Sequence, residues 1–325
     1  MRRFLSSLFA YFVLGSISTI VAEEKKSDDE TKSLDVLFIG NSYTARHNLS
    51  QVVKAMAEES HPGLEFNVST VIYGGRRLVD HWRLRTQDIV NLNALTKTQI
   101  EANLVSLGAE VEKDPKDNYA KSAINRYKDL LANLEDRRTT WDIVVLQSYR
   151  DDLKGASSLY AEYAPKFTEL AKAQGARVIL YETTPGTQNA KPLESAPDRE
   201  VVMKKEKAIA TLANQLDVAV APMSLVAFNV QTERPDFTLR FINDAHLNHT
   251  MAYLTACTIY AAMFDKSPVG LKTDTITDIR FFNDKEKDKD RDGEPIARQF
   301  TGKDLADLQR IAWESYNEFQ ELRKN

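Results

Sequence analysis

Short apolar runs alternate along the chain with longer stretches in which apolar positions recur every three to four residues. Residues 34–39 (Leu-Asp-Val-Leu-Phe-Ile) form such a run, ended by Gly40, and read as a strand buried on both faces. Similar runs at 64–72, 143–146, 177–181 and 218–221 predict four more strands. Helical spacing marks 51–59, 159–174, 201–215, 251–264 and 301–323. Residues 95–136 are helical but polar, with a charged break at 112–116, and read as a surface insertion before the third strand. No internal repeat is visible. Alternating strands and helices predict an α/β fold: a doubly wound, mostly parallel sheet in a three-layer α/β/α arrangement. Ligands of such sheets sit beyond the carboxyl ends of the strands, which directs attention to Gly40–Thr44, Gly74–Arg77 and Gln147–Arg150.

The first residues change the picture at one end. Arg2 and Arg3 precede an apolar-leaning run over 4–21, and Ala22 then meets Glu23-Glu24-Lys25-Lys26. This is the order of a secretory signal peptide over 1–22, followed by a charged linker over 23–33. Secretion or export to a periplasm is therefore expected. Serines, glycine and threonine dilute the run, which argues against a membrane-spanning anchor. A hydrolase domain over 34–272 and a charged connector with a C-terminal helix over 273–325 complete the expected organisation.

Composition excludes some partners. The chain has 325 residues, 28% of them charged, and a net charge of −4, with no basic stripe that would suit nucleic acid. A small molecule or carbohydrate is the expected partner, and the oligomeric state is open. The single cysteine, Cys257, lies within an apolar helical pattern, so it forms no intrachain disulfide and reads as packing. Histidines and cysteines do not cluster at metal-ligand spacing, so neither metal nor cofactor is expected.

Candidate chemistry lies at the strand ends. Gly40-Asn41-Ser42-Tyr43-Thr44 places Ser42 in a tight turn between a strand and a helix. Such a serine is exposed, and its backbone N–H can serve an oxyanion, although in isolation it reads as a helix cap. Gly74-Gly75 ends the second strand and offers N–H groups unshielded by side chains. Gln147 ends the third strand with an amide that can donate to developing negative charge. Near the far end, Asn243-Asp244-Ala245-His246 supplies a base and two candidate partners for its second ring nitrogen.

Together these residues resemble the SGNH (GDSL-like) hydrolase superfamily, in a bacterial uncharacterised subgroup. Gly40-Asn41-Ser42 is similar to the family's first block, and Gly74-Gly75-Arg76-Arg77-Leu78 with His81-Trp82 to its second. Val144-Val145-Leu146-Gln147 resembles a third block in which Gln stands for Asn, and His246-Leu247-Asn248 the last. The resemblance covers roughly residues 34–272 and implies a flavodoxin-like fold. It also implies a serine esterase with Ser42 as nucleophile, His246 as base, and an oxyanion hole of Ser42, Gly75 and Gln147. The family's acid stands three residues before the histidine, where this chain has Asn243. Asp244, two residues before, is the expected orienting group, with Asn243 as the competitor.

The function this implies is hydrolysis of small O-acyl esters, with acylated carbohydrates as substrates, through an acyl-enzyme. A non-catalytic carbohydrate-binding protein and a lysophospholipase-type lipid esterase are the alternatives. Three further features have plainer readings. His81-Trp82 reads as core rather than cleft mouth. Asp288-Lys289-Asp290-Arg291-Asp292-Gly293 copies half a calcium loop but lacks the twelfth-position Glu, and reads as a solvated turn. Arg76 and Arg77 could meet an anionic substrate.

Overall fold

A computed structural model describes residues 32–149, 158–183, 188–195 and 197–324 of the protein. The expected signal peptide over 1–22 and nearly all of the linker lie outside the described residues.

In chain order the elements are β1 (Lys32–Gly40), α1 (Ser42–Ala45), α2 (Leu49–Ser60), β2 (Leu64–Ile72), α3 (Leu78–Arg83), α4 (Thr86–Val90), α5 (Lys97–Lys113), α6 (Asn118–Arg137) and β3 (Ile143–Gln147). They continue with α7 (Leu159–Ala173), β4 (Arg177–Tyr181), α8 (Arg199–Leu216), β5 (Ala219–Ala221), α9 (Met223–Glu233), α10 (His249–Phe264), β6 (Thr275–Thr277), β7 (Ala297–Gln299) and α11 (Gly302–Lys324). β1 to β5 form one sheet in the order β2-β1-β3-β4-β5, every pair parallel. That is the flavodoxin-like order, and its strand direction of travel reverses between β1 and β3. The pairing Lys32↔Leu64 extends β1 into the stretch expected to be linker, because β2 offers backbone partners there.

Side chains alternate across each strand, and both faces are covered. Val36 and Phe38 of β1 join Val145 and Ile179 on one face, packed under α2, α9, α10 and α11. Leu37 and Ile39 join Val144 and Leu180 on the other, under α3 to α8. This is the three-layer α/β/α arrangement. α10 is buried along almost its whole length, between the sheet and α11, so its apolar residues surround the helix instead of forming a stripe. Cys257 is fully buried within it, and burial pushes its thiol up from the ordinary value.

Two expectations need correction. The stretch 95–136 is not a surface insertion alone. α5 and α6 pack together as a helical hairpin, and Ile100, Leu107, Ala123, Tyr127 and Leu134 build the second core. The stretch after 272 is more than a connector. β6 and β7 pair antiparallel, and the residues between them fold back to the carboxyl end of the sheet.

Candidate active site

Gly40 ends β1 at the point where the strand order reverses. A Cβ there would lie 2.3 Å from Thr44 Oγ1 and 2.7 Å from Gln147 Oε1, so only glycine lets these groups close around the turn. Asn41 follows in an extended conformation and caps α1, its Oδ1 accepting the Tyr43 N–H at 3.0 Å. Its amide also donates to Arg76 O at 3.1 Å, which ties the serine turn to the glycine turn after β2. Ser42 is the first residue of α1, where a backbone N–H has no intrahelical acceptor.

His246 meets Ser42 across the crevice, with Nε2 2.8 Å from Ser42 Oγ. On its other side, Nδ1 hydrogen-bonds Asp244 Oδ1. A carboxylate can only accept, so Nδ1 carries the proton and Nε2 is left to accept from the Ser42 hydroxyl. The same Asp244 oxygen accepts the His246 backbone N–H at 3.1 Å. Asp244 Oδ2 accepts from Arg46 Nη1 at 3.0 Å, and Arg46 Nε donates to buried Asp278 at 2.7 Å. Burial pushes the Asp244 carboxyl up, but its bonds to His246 and Arg46 outweigh that and hold it well below the carboxylate range. Asn243, the competing partner, is exposed, and its N–H donates to Asp292 Oδ1 at 2.9 Å.

Gly75 has a left-handed backbone (φ 64°) with open space beside its Cα, and it lines the same cleft as Ser42 and His246. Gln147 does not reach that cleft. It is fully buried, its Oε1 accepts from the Asn41 N–H at 2.9 Å and the Thr44 hydroxyl at 3.2 Å, and its amide nitrogen donates to Ser148 O. The expected oxyanion donor is therefore a brace under the serine turn. Its carbonyl satisfies two donors that would otherwise be orphaned, and this orientation turns the NH₂ away from Ser42.

His81 is likewise internal. Its Nε2 donates to Gly40 O at 3.0 Å, and burial lowers its pKa to about 3, so the ring is neutral. Trp82 packs edge-on against Phe167 rather than opening onto the cleft. Arg76 lies over the Tyr119 ring, and Arg77 pairs with Asp80. The cations of the cleft are instead Arg46, Arg280 and Arg291. The cleft has a volume of about 450 Å³.

The calcium-like string also has an inward role. Asp290 Oδ1 accepts the N–H groups of Asp292 and Glu294, and Asp292 accepts those of Ile242 and Asn243 at 2.8 and 2.9 Å. It thereby grips the loop that carries His246. Sequence reading missed Asn41, Arg46, Asp278 and this grip. Arg46 lies one helical turn after Ser42, a spacing that could have flagged it. Asp278 has no local signal, because its partner is 232 positions away.

Three solved structures resemble the chain. One is a proposed SGNH hydrolase from Slackia heliotrinireducens, at 18% identity and a TM-score of 0.41, covering 71% of this chain and all of that one. Another is a DUF4886 family protein from Bacteroides uniformis, at 15% identity and a TM-score of 0.45, covering 87% of this chain and 94% of that one. The third is TesA, at 13% identity and a TM-score of 0.38, covering 72% of this chain and 99% of that one. No family model and no curated protein matches. At such identities and scores these likenesses carry no argument about the site, which rests on its own geometry.

Proposed function

We propose that the protein is an exported serine esterase that hydrolyses small O-acyl esters, with acylated carbohydrates as its substrates. The observation that carries this reading is the aligned series Ser42 Oγ, His246 and Asp244, with a 2.8 Å contact at the nucleophile. In the reaction, Ser42 Oγ attacks the acyl carbon as its proton passes to His246 Nε2. Asp244 stabilises the imidazolium that forms. The N–H groups of Ser42 and Gly75 receive the carbonyl oxygen as it becomes negative. The tetrahedral intermediate expels the alcohol, which takes the proton from Nε2. Water, deprotonated by the same nitrogen, then attacks the acyl-Ser42 ester and releases the acid.

Export rests on the pattern over 1–22. A polar alcohol is favoured over a lipid because four charged side chains, Arg46, Asp244, Arg280 and Arg291, line the cleft. A fluorophosphonate probe tests the reading. The mature protein should label at Ser42, and Ser42→Ala should neither label nor hydrolyse acetyl esters while keeping its Tm. Labelling elsewhere, or activity retained in Ser42→Ala, overturns it; a folded protein that never labels favours the binding-only alternative.

A further inference from the structure

The cleft is cationic on a chain whose net charge is −4. Three arginines, Arg46, Arg280 and Arg291, line it against one carboxylate, Asp244. Arg46 is committed, its nitrogens engaged by Asp278 and Asp244. Arg291 Nε lies 3.5 Å from Asp244 Oδ2, an oxygen that already accepts from Arg46. Arg280 is exposed and has no carboxylate partner among the described residues. Asp278 lies behind Arg46, so the described cation facing the cleft that no carboxylate holds is Arg280. Neither the hydrogen-bonded series Ser42–His246–Asp244 nor the packing of the 278–296 stretch uses the Arg280 head group.

Building on the esterase reading, we propose that the substrate carries a monoanionic oxyacid group, a carboxylate or a sulfate, close to the scissile ester, and that Arg280 with Arg291 receives it. A guanidinium presents parallel N–H donors that match two oxygens of such a group. Among the described residues of the cleft, Arg280 is the cation without a carboxylate partner, which suits a single negative charge. An acylated acidic saccharide has the required chemistry.

Calorimetry with the inactive Ser42→Ala protein tests this without turnover. The ligands are the O-acetyl esters of methyl glucuronide, methyl glucoside and methyl glucoside sulfate. At least one anionic ester should bind about 10- to 100-fold more tightly than the neutral one, the range expected for a charge-assisted pair. The preference should shrink with added salt, fall toward one in Arg280→Gln, and recover in part in Arg280→Lys. Which anion is preferred separates carboxylate from sulfate. Equal binding of all three, no detectable binding, or a preference that survives Arg280→Gln overturns the inference. In the wild-type protein, loss of all ester turnover would instead count against the esterase reading.

Discussion

Asp244 and His246 are joined twice through one atom: Asp244 Oδ1 accepts the His246 backbone N–H at 3.1 Å and also hydrogen-bonds its ring Nδ1. The backbone bond is that of an Asx turn, in which a carboxylate accepts an N–H two residues on. A side chain two positions before the histidine can then reach the ring.

Asp244→Ala should therefore lower kcat by about 10³- to 10⁴-fold, because the imidazole loses both its tautomer and its counter-charge. Asn243→Ala should stay within a few-fold of wild type, and Asn243→Asp should not rescue Asp244→Ala. Steady-state kinetics on an acetyl ester reads all three. A strong gain in the rescue variant would mean that the three-residue spacing is still usable.

Gln147→Ala should act on the fold before it acts on the oxyanion. It leaves the Asn41 N–H and the Thr44 hydroxyl without their acceptor, which costs about 1–3 kcal/mol per buried group. Urea unfolding should show that loss. A stable Gln147→Ala protein with kcat reduced about 10²-fold would restore the oxyanion role.

Removing Asp292 should loosen the His246 loop without touching the reacting atoms. Asp292→Ala frees the N–H groups of Ile242 and Asn243, and kcat should fall roughly ten-fold with probe labelling slowed in proportion, since misplacement alone is costly. Unchanged kinetics would show that the loop holds its place without this grip.

Stability should respond to pH through buried groups of opposite sign. Glu206 is buried beside Glu182, and burial, then the Glu182 charge, raises its carboxyl well above the ordinary 4.5. Its folded form keeps the proton longer than the unfolded chain does, so its contribution is full below about pH 4.5 and fades as pH rises. Glu206→Gln should raise Tm at pH 8 more than at pH 5.

His81 and His47 act the other way, with burial lowering their folded values to about 3 and about 4. The unfolded imidazoles bind protons that the folded ones refuse, so stability is full above about pH 6.5 and falls on acidification, by up to about 1.4 kcal/mol per pH unit for each ring. In the Glu206→Gln background, denaturant midpoints at pH 7.5, 5.5 and 4.5 should fall steadily. His81→Gln should flatten that slope.

The inner parallel strands were legible because burial on both faces leaves near-continuous apolar runs: β4 begins and ends where the pattern does. Ser42, Gly75, Asp244 and His246 were legible because each sits in a short local motif. Gln147 was read correctly as a strand-end amide and wrongly as a donor, since the direction of an amide depends on what packs beneath it, here Gly40 and Thr44. α9 was missed because Met223 follows β5 almost directly, without a polar break. Arg280 and Arg291 belong to a charged stretch that reads as solvent-exposed until long-range contacts bring it to the cleft.

The path between β6 and β7 leaves the sheet-borne chemistry untouched while carrying Asp278, Arg280, Arg291 and Asp292 to it. Ser42 and the glycine turn sit at strand termini, where the parallel pairing of β1 and β2 fixes their spacing. The path between the two short strands is pinned at its ends by a two-stranded clasp that lies outside the main sheet. Changes in that path would therefore alter both what lines the cleft and, through Asp278 and Asp292, how the His246 loop is held.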